Sequence, residues 1–259
     1  LVGGEPLIRK DFIDILMRTA RKTSGKLNVV SNGILINDEI IEAFIKSRMM
    51  LLSVSLDGYG KNHDKNRAKD GIWDKIMSNF ENMNTRKKRP MIDIKTIVLE
   101  NNLDDLVKLY KMCDEMKFNF LSVSFLRNNN LKQNSVLFNS FVPEFNANYP
   151  IQKYFDMEHF KEVYRELESL SKKSKVQIRF SPKFEYAKNP LEKIEEFFNT
   201  PAEKPVAEIY KPCMYPFSNM MINPSGDVYP CLSQKIGNVK ERSAKVFGAC
   251  QMCCELCLK

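Results

Sequence analysis

Cysteine is all but missing from the first 212 residues, where Cys113 stands alone. A disulfide framework running through the fold is therefore excluded. No run approaches the roughly 18 apolar residues that a membrane span needs, so no membrane partner is expected. No signal-like segment opens the sequence, which begins at Leu1 inside an apparent strand. The expectation is a cytoplasmic protein whose natural start lies upstream. Repeats and low-complexity tracts are absent from the sequence. The only dense basic run, Arg86-Lys87-Lys88-Arg89, precedes Pro90 and reads as a solvated helix-to-strand turn. The remaining lysines are spread along helices, so the net charge of +8 implies no nucleic-acid partner.

What is present is ordinary in bulk and unusual in arrangement. The 259 residues are 43% hydrophobic and 28% charged, enough for one barrel-sized domain plus an appendage. Apolar periodicity predicts helices over 9–21, 38–46, up to about 83, 103–116, 160–170 and 191–198. Strands are predicted over 26–31, 49–56, 91–99, 118–126 and 175–180, with 59–70 read as a loop. Strand and helix alternate through short connections, which argues for parallel β/α architecture. Residues 127–155 form a loop-rich insertion too long for an ordinary connection, expected to be a lid or a substrate-facing element. The Pro-rich stretch Pro201 to Pro212 separates a first domain, 1–200, from a tail, 201–259.

Six of the seven cysteines fall in that tail: Cys213, Cys231, Cys250, Cys253, Cys254 and Cys257. The segment between the first two reads as strand, Pro-Ser-Gly-Asp turn and strand, so a hairpin would draw its flanking cysteines together. Cys250 to Cys253 and Cys254 to Cys257 are C-x-x-C steps, each able to offer two thiolates to one metal or cluster. A thioredoxin-like redox motif is disfavoured because no strand precedes these steps. Spacing and softness alone leave structural zinc and an iron–sulfur cluster both open.

Polar motifs recur where predicted strands end. Gly3-Gly4-Glu5-Pro6 follows the first, Ser31-Asn32-Gly33 the second, and Ser55-Leu56-Asp57-Gly58 the third. In a β/α barrel the carboxyl ends of the strands build the active site. Glycines there allow close backbone approach. Glu5 could accept from an ammonium, Ser55 and Asp57 could hold hydroxyls, and Arg67 could grip a carboxylate. Together they could hold an amino acid joined to a ribose. Singly, Asn32-Gly33 and Asp57-Gly58 are common turn dipeptides.

The order of these motifs, with His63, Asp64 and Arg67, resembles the radical S-adenosylmethionine (radical SAM) enzymes. The tail resembles that superfamily's SPASM/twitch extension: Cys213, twelve residues, Gly226, four residues, Cys231. The resemblance implies an α/β fold, a partial (β/α)6 TIM-like barrel followed by a small cysteine-rich SPASM/twitch domain. It implies SAM contacts at Gly3, Gly4, Glu5, Pro6, Ser31, Asn32, Ser55, Asp57 and Arg67, and one or two auxiliary [4Fe–4S] clusters on the six tail cysteines. It also implies a reductant such as ferredoxin or flavodoxin, and reductive SAM cleavage to a 5′-deoxyadenosyl radical. That radical would abstract hydrogen from a peptide or protein substrate, as in maturases. The same domains serve dehydrogenases and cofactor-building enzymes that act on small molecules, and a zinc-ribbon interaction protein on a β/α barrel is the reading of another class.

Two departures stand out. The family's C-x-x-x-C-x-x-C lies upstream of Gly-Gly-Glu-Pro, and no cysteine precedes Gly3. In addition, the Cys expected six residues after Cys253 is Lys259. The expectation is a chain cut at both ends and inactive in SAM cleavage by itself. No catalytic acid or base is assigned; Tyr215, Tyr229 and Asp227 have core or turn roles as their simplest reading.

Overall fold

Five β-branched and aromatic stretches become one parallel sheet. The computed structural model describes residues 1, 4–125, 155–181, 183–199, 221–223, 225–229, 235 and 237–240. Strands β1 (Asn28–Ser31), β2 (Leu51–Ser55), β3 (Met91–Val98), β4 (Phe120–Phe125) and β5 (Gln177–Ser181) lie in sequence order, every pair parallel. Parallel neighbours require crossovers. These are α1 (Phe12–Lys22), before β1, then α2 (Asp38–Lys46), α3 (Lys61–Asn66), α4 (Ile72–Asn84), α5 (Leu103–Glu115) and α6 (Met157–Ser171). Leu1 bonds to the edge of β1: its amino group donates to Asn28 O at 2.6 Å and its carbonyl accepts from Val30 N at 3.1 Å.

Local chemistry fixes the helix ends. The Asn37 side chain accepts from Ile40 N at 2.9 Å, Asp38 and Glu39 lie in the first turn of α2, and Lys46 lies in the last. Each complements the helix dipole. Ile40, Ile41, Ala43 and Phe44 are buried along one face, and full burial of such side chains is worth roughly 1.5–3 kcal/mol each. The loop expected over 59–70 is corrected here: Lys61–Asn66 is helical. Six polar residues behind Gly60 carry no apolar period, so periodicity holds no signal for that helix.

Successive strand side chains point to opposite faces. On one face Val29, Leu52, Val54, Ile92, Ile94, Leu121 and Val123 are all at most 1% exposed. Ile76 of α4 lies at that face beside Val54. The other face carries Ser53, Ser55, Asp93, Lys95, Ser122, Ser124 and Arg179 in alternate positions. An all-parallel sheet covered on both sides reads as continuous apolar runs. This one alternates, so its second face is built for polar contacts.

Contacts divide the chain into two compact units, Leu1–Leu126 with Tyr154–Tyr186, and Arg127–Lys153 with Ala187–Lys259. The sheet belongs to the first. The second contains α7 (Pro190–Asn199), with Ile194 and Phe197 buried, and a small antiparallel sheet of β6 (Met221–Ile222), β7 (Asp227–Tyr229) and β8 (Gly237–Asn238). The hairpin read from the sequence is present. Gly226 turns it at φ 92°, and a Cβ there would meet Asn238 Oδ1 at 2.9 Å, so glycine is required. Asp227 is a hairpin anchor, bonded to Lys235 at 2.6 Å and Asn238 at 2.8 Å, and Tyr229 is buried. Hydrogen bonds from Lys235 and then Asn238 lower the Asp227 pKa below its ordinary value. The insertion over 127–155 lies outside the described residues but for Phe155.

Candidate functional site

One carboxylate joins the turn after Gly4 to the end of β1. Glu5 precedes a short 3-10 turn (Pro6–Ile8) and its Oε1 accepts from Leu7 N at 3.0 Å. The same oxygen accepts from Ser31 Oγ at 2.9 Å, while Oε2 accepts from Asn32 N at 2.6 Å. Ser31 Oγ in turn accepts from Gly33 N at 3.0 Å, and Asn32 Oδ1 accepts from Ile34 N at 3.0 Å. Gly33 adopts φ 82°, and a Cβ would lie 2.9 Å from Val54 Cγ1, so the turn after β1 packs directly on β2. Asn79 of α4, buried, donates to the carbonyls of Gly33 at 2.9 Å and Ile34 at 3.2 Å. Glu5, Pro6, Ser31 and Asn32 are thus one cluster. No described residue lies within 4 Å of a Cβ placed on Gly4; Gly3 is outside the described residues.

A second cluster surrounds Asp57. Its Oδ2 pairs with Arg67 Nη2 at 2.6 Å, and its Oδ1 accepts from Ile97 N at 3.4 Å. Its backbone is tied as well: the N–H donates to His63 Nδ1 at 3.1 Å, and the carbonyl accepts from Asn66 Nδ2 and from Asn102 Nδ2. Asp57 and Arg67, assigned separately from the sequence, are therefore partners. Ser55 is half-buried at the end of β2 and paired through its backbone with β3, while its hydroxyl has no hydrogen-bond partner among the described residues.

Sequence reasoning places His63 and Asp64 in the motif without giving them a role, and it misses Asn66, Asn102 and Asp105. His63 is fully buried with its Nε2 unpartnered among the described residues, and its ring centroid lies 6.1 Å from that of Trp73. Because Nδ1 accepts from an amide, the proton resides on Nε2. Burial lowers the His63 pKa, and Arg67 lowers it further, so the ring is neutral at pH 7. Asp64 accepts from Gly71 N at 2.7 Å and Trp73 N at 2.8 Å, capping α4. Asp105 accepts from Tyr59 N at 3.0 Å and Asn62 Nδ2 at 2.6 Å, tying α3 to the start of α5. The clue available was four polar side chains, Asn62, His63, Asp64 and Asn66, in one short loop after a strand. Cys213, Cys231, Cys250, Cys253, Cys254 and Cys257, with Tyr215, lie outside the described residues. Cys113 does not belong with them: it is fully buried in α5, where burial raises its thiol pKa far above the ordinary value.

A carboxylate offers about four acceptor positions, and Glu5 uses three, leaving one on Oε2. Among the described residues, the open acceptor on Glu5, the unpartnered hydroxyl of Ser55 and the space at Gly4 could receive a ligand bearing an ammonium and hydroxyls.

Residues 1–113 match the family model of the radical SAM superfamily, and residues 213–254 match that of an iron-sulfur cluster-binding domain. Over 117 residues the chain is 31% identical to an AdoMet-dependent heme synthase of Methanosarcina barkeri, covering 45% of this chain and 33% of that protein. Over 128 residues it is 31% identical to a cysteine-type anaerobic sulfatase-maturating enzyme of Clostridium novyi, covering 46% and 33%. Streptococcus suis SuiB, solved bound to precursor peptide SuiA, shares the fold at TM-score 0.63 and 16% identity, over 94% of this chain and 52% of that one. The chain spans about a third of the length of the curated relatives it matches.

Proposed function

We propose, for a chain that belongs to the radical SAM superfamily and carries its iron–sulfur-binding SPASM domain, that it is part of an enzyme modifying a peptide or protein substrate. SAM and a reduced [4Fe–4S] cluster would supply, when bound, a 5′-deoxyadenosyl radical able to abstract a substrate hydrogen. The observation that carries the reading is the Glu5 cluster: a carboxylate fixed by three donors with one acceptor position left. Glu5 would take the ammonium of SAM, Ser55 a ribose hydroxyl, and Gly4 would leave room for the ligand. The neutral His63 holds the Asp57 backbone in place, and Arg67 steadies its carboxylate. The tail cysteines would hold auxiliary iron–sulfur, and a ferredoxin or flavodoxin would serve as reductant. The sulfatase-maturating relative and the peptide-bound neighbour support a peptide substrate; the heme synthase relative supports a second reading, a small-molecule substrate.

The test is 5′-deoxyadenosine formation by the full-length protein, loaded with iron and sulfide without oxygen. It is incubated with SAM, dithionite and either the precursor peptide or sulfatase fragment encoded beside its gene, or a metalloporphyrin. Stimulation and mass change of the peptide is the expected result. Stimulation by the porphyrin alone would overturn it.

A further inference from the structure

The polar face of the sheet carries two cations, Lys95 and Arg179, that make no ion pair among the described residues, although Asp57 Oδ1 accepts from Ile97 N at 3.4 Å and Glu185 Oε2 from Phe180 N at 3.0 Å nearby. Ser55, Lys95, Ser122 and Arg179 stand in one register row across β2, β3, β4 and β5. With neighbouring strands about 4.8 Å apart, Lys95 lies one strand from Ser55 and roughly 10 Å from Arg179. The one acid in these five strands, Asp93, sits a row closer to the strand starts and is 2% exposed. Its oxygens accept from Ser53 Oγ at 2.9 Å and Ser122 Oγ at 2.6 Å. Asp93 therefore stiffens the sheet and joins the row only through Ser122, making no ion pair with Lys95 or Arg179. Neither Lys95 nor Arg179 reaches a carboxylate within ion-pair distance among the described residues. Arg179 is held in place differently, its guanidinium carbon 3.3 Å from the Phe120 ring centroid. Stacking uses the face of the guanidinium and leaves its N–H edges for a ligand.

A single surface lysine has no meaning by itself. Here a stacked arginine and a lysine share a row with a cofactor candidate, on the face of a parallel sheet that apolar side chains normally fill. Two cations left without an ion pair on such a face, one of them held by stacking, favour an anion. We propose that Lys95 and Arg179 form a carboxylate clamp that receives an acidic side chain of the peptide substrate and sets it beside Ser55. The proposal rests on the peptide reading above and names a feature of that peptide.

The test is fluorescence anisotropy of the iron-loaded, full-length protein with a labelled glutamate-rich octapeptide and its glutamine counterpart, in the absence of SAM. The glutamate peptide should bind and the glutamine peptide should not. Lys95→Gln and Arg179→Gln should each weaken binding about tenfold or more, as expected for one lost charge-assisted contact. Lys87→Gln with Lys88→Gln, in the distant basic turn, should leave it unchanged. Equal binding of the two peptides, unaltered affinity in Lys95→Gln, or an equal loss in the Lys87/Lys88 variant would refute the clamp. So would displacement of the peptide by a tetrapropionate porphyrin at lower concentration than by unlabelled peptide, which would assign the carboxylate to a tetrapyrrole. Should Arg179→Gln unfold, the exposed Lys95 still decides. Binding is read without SAM, so a failure of radical chemistry and a failure of the clamp give different results.

Discussion

Replacing Glu5 with alanine should damage folding and cofactor affinity together. The carboxylate accepts from Leu7 N at 3.0 Å, Ser31 Oγ at 2.9 Å and Asn32 N at 2.6 Å, joining the first turn to the end of β1. Hydrogen bonds to a charged group are worth about 1.5–3 kcal/mol each, which would sum to roughly 5–9 kcal/mol if all three donors were left dry. Glu5 is only half-buried, so water replaces much of what truncation removes. The expected loss is therefore about 2–3 kcal/mol. Trp73 is the only tryptophan and lies in the same compact unit as the site. Urea unfolding followed by its fluorescence reads this unit directly. Calorimetric titration with SAM, on the full-length iron-loaded protein, should show an affinity loss of tenfold or more in the same variant. Full stability in Glu5→Ala would refute the hydrogen-bond network. Reduced stability with unchanged SAM affinity would make Glu5 structural and sink the cofactor assignment.

Two further outcomes follow from buried groups and from the tail. His63 has a lowered pKa, so the unfolded chain takes up its proton near pH 6.5 while the folded chain resists. Unfolding free energy should be flat with respect to this group above about pH 7 and fall as pH drops below about 6.5; a slope unchanged in His63→Gln would contradict that. Cys213→Ala with Cys231→Ala should lose iron and broad absorbance near roughly 400 nm after anaerobic reconstitution, whereas Cys113→Ala should keep both. Full iron in the double variant would remove the ligand assignment.

The parts of this fold visible in the sequence are those encoded locally. Helix α2 runs over the predicted Asp38–Lys46 because its signals, an Asn cap, first-turn acids and an apolar stripe, all lie within ten residues. The strand-end motifs were legible for the same reason. Pairings over distance were not: Ser122 meets Asp93 across 29 residues, and Glu5 meets Asn32 across 27. The polar face was written in the alternation of Ser53, Val54 and Ser55 and of Leu121, Ser122, Val123 and Ser124. Attention to the apolar half of each strand hid it. Helix α3 escaped because its six residues form no stripe.

The Asp57 cluster separates what is fixed from what can be exchanged. Its backbone is held by His63, Asn66 and Asn102 from two different elements. Buried or part-buried bonds of this kind are expensive to leave unmade. The ion pair to Arg67 is different, because the two side chains are 37% and 14% exposed. Water reaches the Arg67 side of this pair and screens it, so it is worth less than the buried backbone bonds. A ligand offering a hydroxyl to Asp57 and a carboxylate to Arg67 could therefore replace the pair at little cost, and the strand end would not move. The same two side chains can thus brace one another or hold a ligand, with the rigid backbone beneath them setting the geometry either way.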